Sequence, residues 1–123
     1  MATSVSPKRV LIVDDEQAIA KALALKLAKK GFAVELALNG AEAIDQIRKG
    51  KFDVILLDLV MPEKDGFEVL EYLQKRKIKI PVLVASNLSQ EDDLRRAEKL
   101  GAISYFIKAD VSLQEIINQV VKV

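Results

Sequence analysis

Short, wholly apolar runs alternate along the chain with longer stretches in which apolar residues recur every three or four positions. Val10 to Val13, Val54 to Leu57 and Val82 to Ala85 are continuous aliphatic runs. A strand with one wet face would alternate, so these runs predict strands buried on both faces. Phe32 to Leu38, turned by Asn39-Gly40, and Ile103 to Ile107 are weaker runs that predict a second and a fifth strand. Ile19, Leu23 and Leu27 recur every four residues, widened by Ala18, Ala22 and Leu25, while Lys21, Lys26, Lys29 and Lys30 stay outside the stripe. That spacing predicts an amphipathic helix, with Gly31 as its stop. Ala41 to Lys49, closed by Gly50, predicts a second helix, and Phe67, Leu70 and Leu73 mark a third after the turn-rich loop Met61 to Gly66. Pro81 introduces the fourth strand. Ser89 is the expected cap of a polar fourth helix, with Glu91, Asp92 and Asp93 in its positive first turn, Leu94, Ala97 and Leu100 as a thin apolar stripe, and Gly101 as its end. Ser112 and Glu115 fit a capping box. Behind them Leu113, Ile116, Ile117, Val120 and Val121 share one face of a last helix running to Val123.

Strand then helix, five times over, predicts an α/β fold: a doubly wound, five-stranded parallel sheet with right-handed crossovers and helices on both faces. At 123 residues the chain is expected to be a single domain, 1–123, with polar residues 1–7 as a flexible tail. Nineteen basic against eighteen acidic residues give a net charge of +1, so bulk charge predicts neither a nucleic-acid nor a membrane-surface partner. No apolar run approaches the roughly 20 residues that cross a bilayer, and the N-terminus lacks a signal-peptide core, so a soluble, cytoplasmic protein is expected. The absence of Cys excludes disulfides and thiol nucleophiles. The absence of His excludes imidazole acid–base catalysis, Ser-His-Asp triads and His-ligated metals.

Sheets of this kind place ligands outside the carboxyl ends of their strands, at the switch in strand order. The first strand ends in Asp14-Asp15-Glu16, the third in Asp58, the fourth in Ser86-Asn87 and the fifth in Lys108, whereas the second ends in nothing reactive. In the order 2-1-3-4-5 the blank strand is an edge, and Asp14, Asp15, Asp58, Ser86 and Lys108 share one crevice. Three carboxylates against one ammonium repel one another and call for a cation. Oxygen donors without His or Cys favour a hard ion such as Mg²⁺. A metal between Asp15 and Asp58 leaves room for an incoming phosphate, which Lys108 and the Ser86 hydroxyl can meet.

These strand ends carry a resemblance. Val13-Asp14-Asp15-Glu16, the run Leu57-Asp58-Leu59-Val60-Met61-Pro62-Glu63-Lys64-Asp65-Gly66, then Ser86 and Tyr105-Phe106-Ile107-Lys108 resemble, in order, the receiver domain of two-component response regulators. The likeness runs from about Lys8 to Val123 and implies the CheY-like, flavodoxin-like fold. It implies that Asp58 is the phosphoacceptor, taking a phosphoryl group from the phosphohistidine of a histidine kinase or a histidine phosphotransfer protein. It also implies Mg²⁺ held directly by Asp15 and Asp58, by Asp14 through water, and by the Val60 backbone carbonyl. Lys108 would pair with the phosphate. Ser86 would move toward it with Tyr105 changing rotamer behind, altering a face made of the fourth helix, fifth strand and fifth helix. The resemblance implies a downstream protein target at that face, where a homodimer is the other candidate contact; the balanced charge gives no reason to expect nucleic acid or membrane bound directly. Such a chain turns over no separate substrate; it catalyses only its own phosphorylation and dephosphorylation.

Three positions depart from the family's habit. Lys108 is usually followed by a Pro joined through a cis bond, and here Ala109 follows; a cis bond before a non-proline residue costs about 3–4 kcal/mol, so a trans bond or a strained loop is expected. Asn87 replaces a usual Ala or Gly, and Val60 is apolar where polar residues are frequent; both flank the route of hydrolytic water to an acyl phosphate. These departures support a second reading, a phosphorylation-independent interaction module on the same fold. An aspartyl phosphatase of the haloacid dehalogenase type would need a second Asp at position 60. Singly, Asp14 or Asp15 serves as well as a helix cap, Ser86 as a turn cap, Lys108 as a solvated lysine and Tyr105 as packing. Their convergence is what argues for chemistry.

Overall fold

The three continuous aliphatic runs form the three central strands of the sheet. The computed structural model describes residues 7–123; apart from Pro7, the expected N-terminal tail lies outside the described residues. Strands β1 (Arg9–Val13), β2 (Ala33–Ala37), β3 (Val54–Leu57), β4 (Val82–Ser86) and β5 (Ser104–Ile107) pair in parallel in the order β2-β1-β3-β4-β5. Helices α1 (Gln17–Lys29), α2 (Gly40–Lys49), α3 (Gly66–Lys75), α4 (Glu91–Lys99) and α5 (Leu113–Lys122) alternate with them, and a 3-10 turn at Lys108–Asp110 separates β5 from α5. The expected doubly wound fold is the one observed.

Because successive strand residues point to opposite faces, each central strand feeds two cores. Leu11, Val13, Ile55, Leu57, Val82 and Val84 face α2, α3 and α4 through Ala43, Ile47, Phe67, Leu70, Leu73 and Ala97. Val10, Ile12, Val54, Leu56, Leu83 and Ala85 face α1 and α5 through Ala20, Leu23, Leu27, Ile116, Ile117 and Val120. Each buried Leu or Ile contributes roughly 1.5–3 kcal/mol relative to exposure. Helix α4 has only Ala97 buried, so it is the most weakly anchored of the five.

Helix ends follow local chemistry. Asn39 is the cap of α2, its side chain accepting from Glu42 N–H at 2.8 Å. Asp65 caps α3, and Ser112 with Glu115 forms the expected capping box. Ser89 is not the cap of α4. That helix starts at Glu91, its cap position is Gln90 without a side-chain bond, and Ser89 lies one residue too early to reach the first-turn amides. Helix α1 likewise has no side-chain cap at Glu16, so neither Asp14 nor Asp15 serves that role. Helices α1, α3 and α4 end alike. The amides of Phe32, Ile78 and Ala102 reach back to the carbonyls of Leu27, Leu73 and Ala97, with Gly31, Lys77 and Gly101 in the left-handed region.

Candidate functional site

Asp14 and Asp58 stand side by side because the sheet ladder runs one step past β1 and β3. Asp14 N–H donates to the Ala37 carbonyl at 3.0 Å and Asp58 N–H to the Val13 carbonyl at 2.9 Å. Both carboxylates are buried, at 4% and 5% exposure, where an unpaired charge is costly. Behind Asp58, α3 begins at Gly66, where a β-carbon would collide with the Asp58 carbonyl and lie 2.7 Å from the Leu59 Cα. Only glycine permits that approach, so the start of α3 fixes the backbone of Asp58.

Lys108, at the end of β5, reaches into the acidic group. Its Nζ lies 2.7 Å from Asp14, 2.9 Å from Glu16 and 3.3 Å from Asp58. Burial alone would pull the Lys108 ammonium down, but hydrogen bonds to Asp14 and Glu16 and the charge of Asp58 outweigh it and raise its pKa above the ordinary lysine value. Burial raises the Asp14 carboxyl, against the opposing pull of Lys108. Carboxylate oxygens of Asp14, Glu16 and Asp58 lie within 4.8 Å of one another. Three negative charges and one positive leave −2, so the group still favours a further cation.

Asp15 lies in the expected cleft but does not join the converging carboxylates. Asp14 Oδ1 accepts from Glu16 N–H at 2.9 Å. Glu16 joins the cluster, while Asp15 is exposed and its carboxylate is not among the three that converge. Glu16 is the site residue that sequence reasoning missed, although it belongs to the same acidic run. Asp15 and Glu16 line an open cleft of about 350 Å³ together with Asp58, Val60, Asn87, Leu88 and Lys108. Val60 is 56% exposed at its rim. A larger apolar groove of about 530 Å³ lies at the opposite, amino end of β4 and bears none of these acids.

Ser86 is fully buried, its Oγ accepting from Leu88 N–H at 3.3 Å. The Tyr105 hydroxyl donates to the Leu88 carbonyl at 2.8 Å, and burial raises its pKa. Ser86 and Tyr105 are therefore linked through the backbone of one residue. No peptide bond among the described residues is cis, so Lys108–Ala109 is trans, and Ala109 has no positive φ. Asn87 does not turn its amide oxygen toward the acids; that oxygen accepts from Ala109 N–H at 3.1 Å.

A buried pair of aspartates and a lysine, each at the end of a different parallel strand, match a known pattern over most of the chain. Residues 10–121 match the response regulator receiver domain. The chain belongs to that family. The receiver domain is 35% identical over 100 residues to the transcriptional regulatory protein DltR of Streptococcus agalactiae, covering 81% of this chain and 45% of that protein. It is 38% identical over 100 residues to the cell cycle response regulator CtrA of Brucella ovis, covering 81% and 43% respectively. The chain thus spans less than half the length of these curated relatives. The Francisella response regulator 1452 receiver domain is similar at a TM-score of 0.87 and 32% identity, covering 94% of each chain. Response regulator TrrA of Thermotoga maritima, solved in complex with Mg²⁺-BeF, is similar at 0.80 and 31% identity, covering 94% of this chain and 97% of that one. Among the described residues no helix is long and apolar enough to cross a membrane.

The donor set fits the ion that the fold family implies. It is acidic, made of oxygen donors, and already draws a side-chain cation into its centre. Those are the properties of a site for a hard divalent ion such as Mg²⁺.

Proposed function

We propose that this receiver domain accepts a phosphoryl group on Asp58 and uses it as a two-state signalling switch. The observation that carries the reading is the Lys108 ammonium lodged among three carboxylates at the carboxyl ends of parallel strands. A dianion arriving there finds a cation already aimed at its acceptor.

An Asp58 carboxylate oxygen attacks phosphorus while the phosphorus–nitrogen bond of a phosphohistidine breaks, its electron pair returning to the imidazole. The product is an acyl phosphate on Asp58. The donor imidazole, which the 123 residues do not contain, would be that of a histidine kinase or a histidine phosphotransfer protein. Asp15, Asp58, Asp14 through water and the Val60 carbonyl would hold Mg²⁺, and the position of Glu16 adds it to that set. The ion, when bound, supplies positive charge that screens carboxylate from phosphoryl oxygen.

Phosphorylation adds roughly −1.5 to −2 of charge. Lys108 then exchanges carboxylate partners for phosphoryl oxygens, a charge-assisted bond. The Ser86 oxygen accepts from Leu88, and its hydroxyl hydrogen would turn to the phosphoryl group. Movement of Ser86 strains the Leu88 backbone and with it the Tyr105 hydrogen bond. Tyr105 lies on β5 beside weakly anchored α4, so the α4-β5-α5 face is the proposed contact for a downstream protein or a second copy. We place this work in the cytoplasm and assign no separate substrate.

The trans Lys108–Ala109 bond and the bulk of Asn87 favour a second reading, an interaction module that works without phosphotransfer. Incubation with acetyl phosphate and Mg²⁺, followed by intact mass measurement, separates the two. One added phosphoryl group, absent from Asp58→Asn and abolished by a chelator, is the expected result; no addition favours the module.

A further inference from the structure

The β4–β5 ladder ends at the pair Ser86 and Ile107. One residue beyond it on the first strand, and two on the second, the Asn87 amide oxygen accepts from Ala109 N–H at 3.1 Å, bridging 22 residues of sequence. The bond ties the β4–α4 loop to the 3-10 turn that begins with Lys108. Asn87 lines the same cleft as Asp58 and Lys108. A proline at 109 has no N–H to donate, and an alanine or glycine at 87 has no side-chain acceptor. The bond therefore exists only when both departures occur together.

We propose that Asn87 and Ala109 form a clip that sets the backbone from which Lys108 departs, making Asn87 a positioning residue for the acceptor site. The proposal rests on the reading of Asp58 as phosphoacceptor. The clip holds the two loops in register beyond the sheet and does so with a trans Lys108–Ala109 bond. The Lys108 ammonium then meets Asp14, Glu16 and Asp58 from a fixed origin rather than from a free loop.

Hydrogen exchange of the Ala109 amide, followed by NMR on the full chain, tests the bond directly. Asn87→Ala is expected to speed exchange about three- to tenfold, in keeping with the loss of one net hydrogen bond. Asn87→Asp keeps an acceptor oxygen and is expected to stay within about twofold of the parent. Equal exchange in the parent and Asn87→Ala overturns the clip. Phosphorylation rates with acetyl phosphate and Mg²⁺ test the positioning: Asn87→Ala slows the parent severalfold but adds nothing to Lys108→Ala, as expected for residues acting through one another. Additive losses overturn the positioning role. A parent chain that takes up no phosphoryl group overturns the acceptor reading instead. The positioning is then decided by the Lys108 Nζ resonance, which moves in Asn87→Ala if the clip holds it and stays if not.

Discussion

At the scale of the residue, the governing fact is an excess of negative charge held by one ammonium. Asp58 is the longest of the three partners of Lys108, at 3.3 Å against 2.7 and 2.9 Å, yet it faces two other carboxylates. Removing its charge leaves two carboxylates, rather than three, to share one ammonium. Asp58→Asn is therefore expected to stabilise the fold modestly in the absence of divalent ions, because like charges crowded at one site disfavour the folded state. Urea denaturation in chelator checks the sign; a destabilised variant would mean that Lys108 binds Asp58 more strongly than the distances indicate. Asp14, Asp58 and Lys108 were legible in the sequence because each follows an apolar run that had to be a strand. Glu16 was not, because its place depends on the turn in which Asp14 binds the Glu16 amide, and that turn leaves Asp15 facing solvent.

Among the elements, three helices share one C-terminal design, and one of them uses an unfavourable residue. Lys77 has φ 55°, in the region where Gly31 and Gly101 serve α1 and α4. A left-handed conformation costs a non-glycine residue roughly 1–2 kcal/mol, partly offset by the greater freedom of glycine in the unfolded chain. Lys77→Gly is expected to stabilise the protein by about 0.5–1 kcal/mol net. A thermal melt reads this as a rise of several degrees, and a fall would show that the Lys77 side chain makes a contact worth more than the strain. The central strands were legible because each contains an unbroken run of four apolar residues. The start of α4 was not: with only Ala97 buried, little in its pattern fixes the first turn, and a serine one residue upstream looks like a cap.

For the whole molecule, the acidic group links ion binding to folding. Any ion that binds the folded site and not the open chain adds RT ln(1 + [L]/Kd), about 2.7 kcal/mol at a hundredfold excess over Kd. Mg²⁺ is thus expected to raise the melting temperature. Lys108→Ala should melt lower than the parent in chelator, because three carboxylates lose the one side-chain cation that meets them among the described residues, and should gain more from added Mg²⁺. An equal Mg²⁺ response in the two proteins would mean that the ion and the ammonium do not compete. If they do compete, arrival of a dissolved ion is an exchange with a tethered one. Its speed then depends on how readily a single side chain swings aside, and the newly made chain can close its sheet and wait, charge already balanced in part, before it meets any metal.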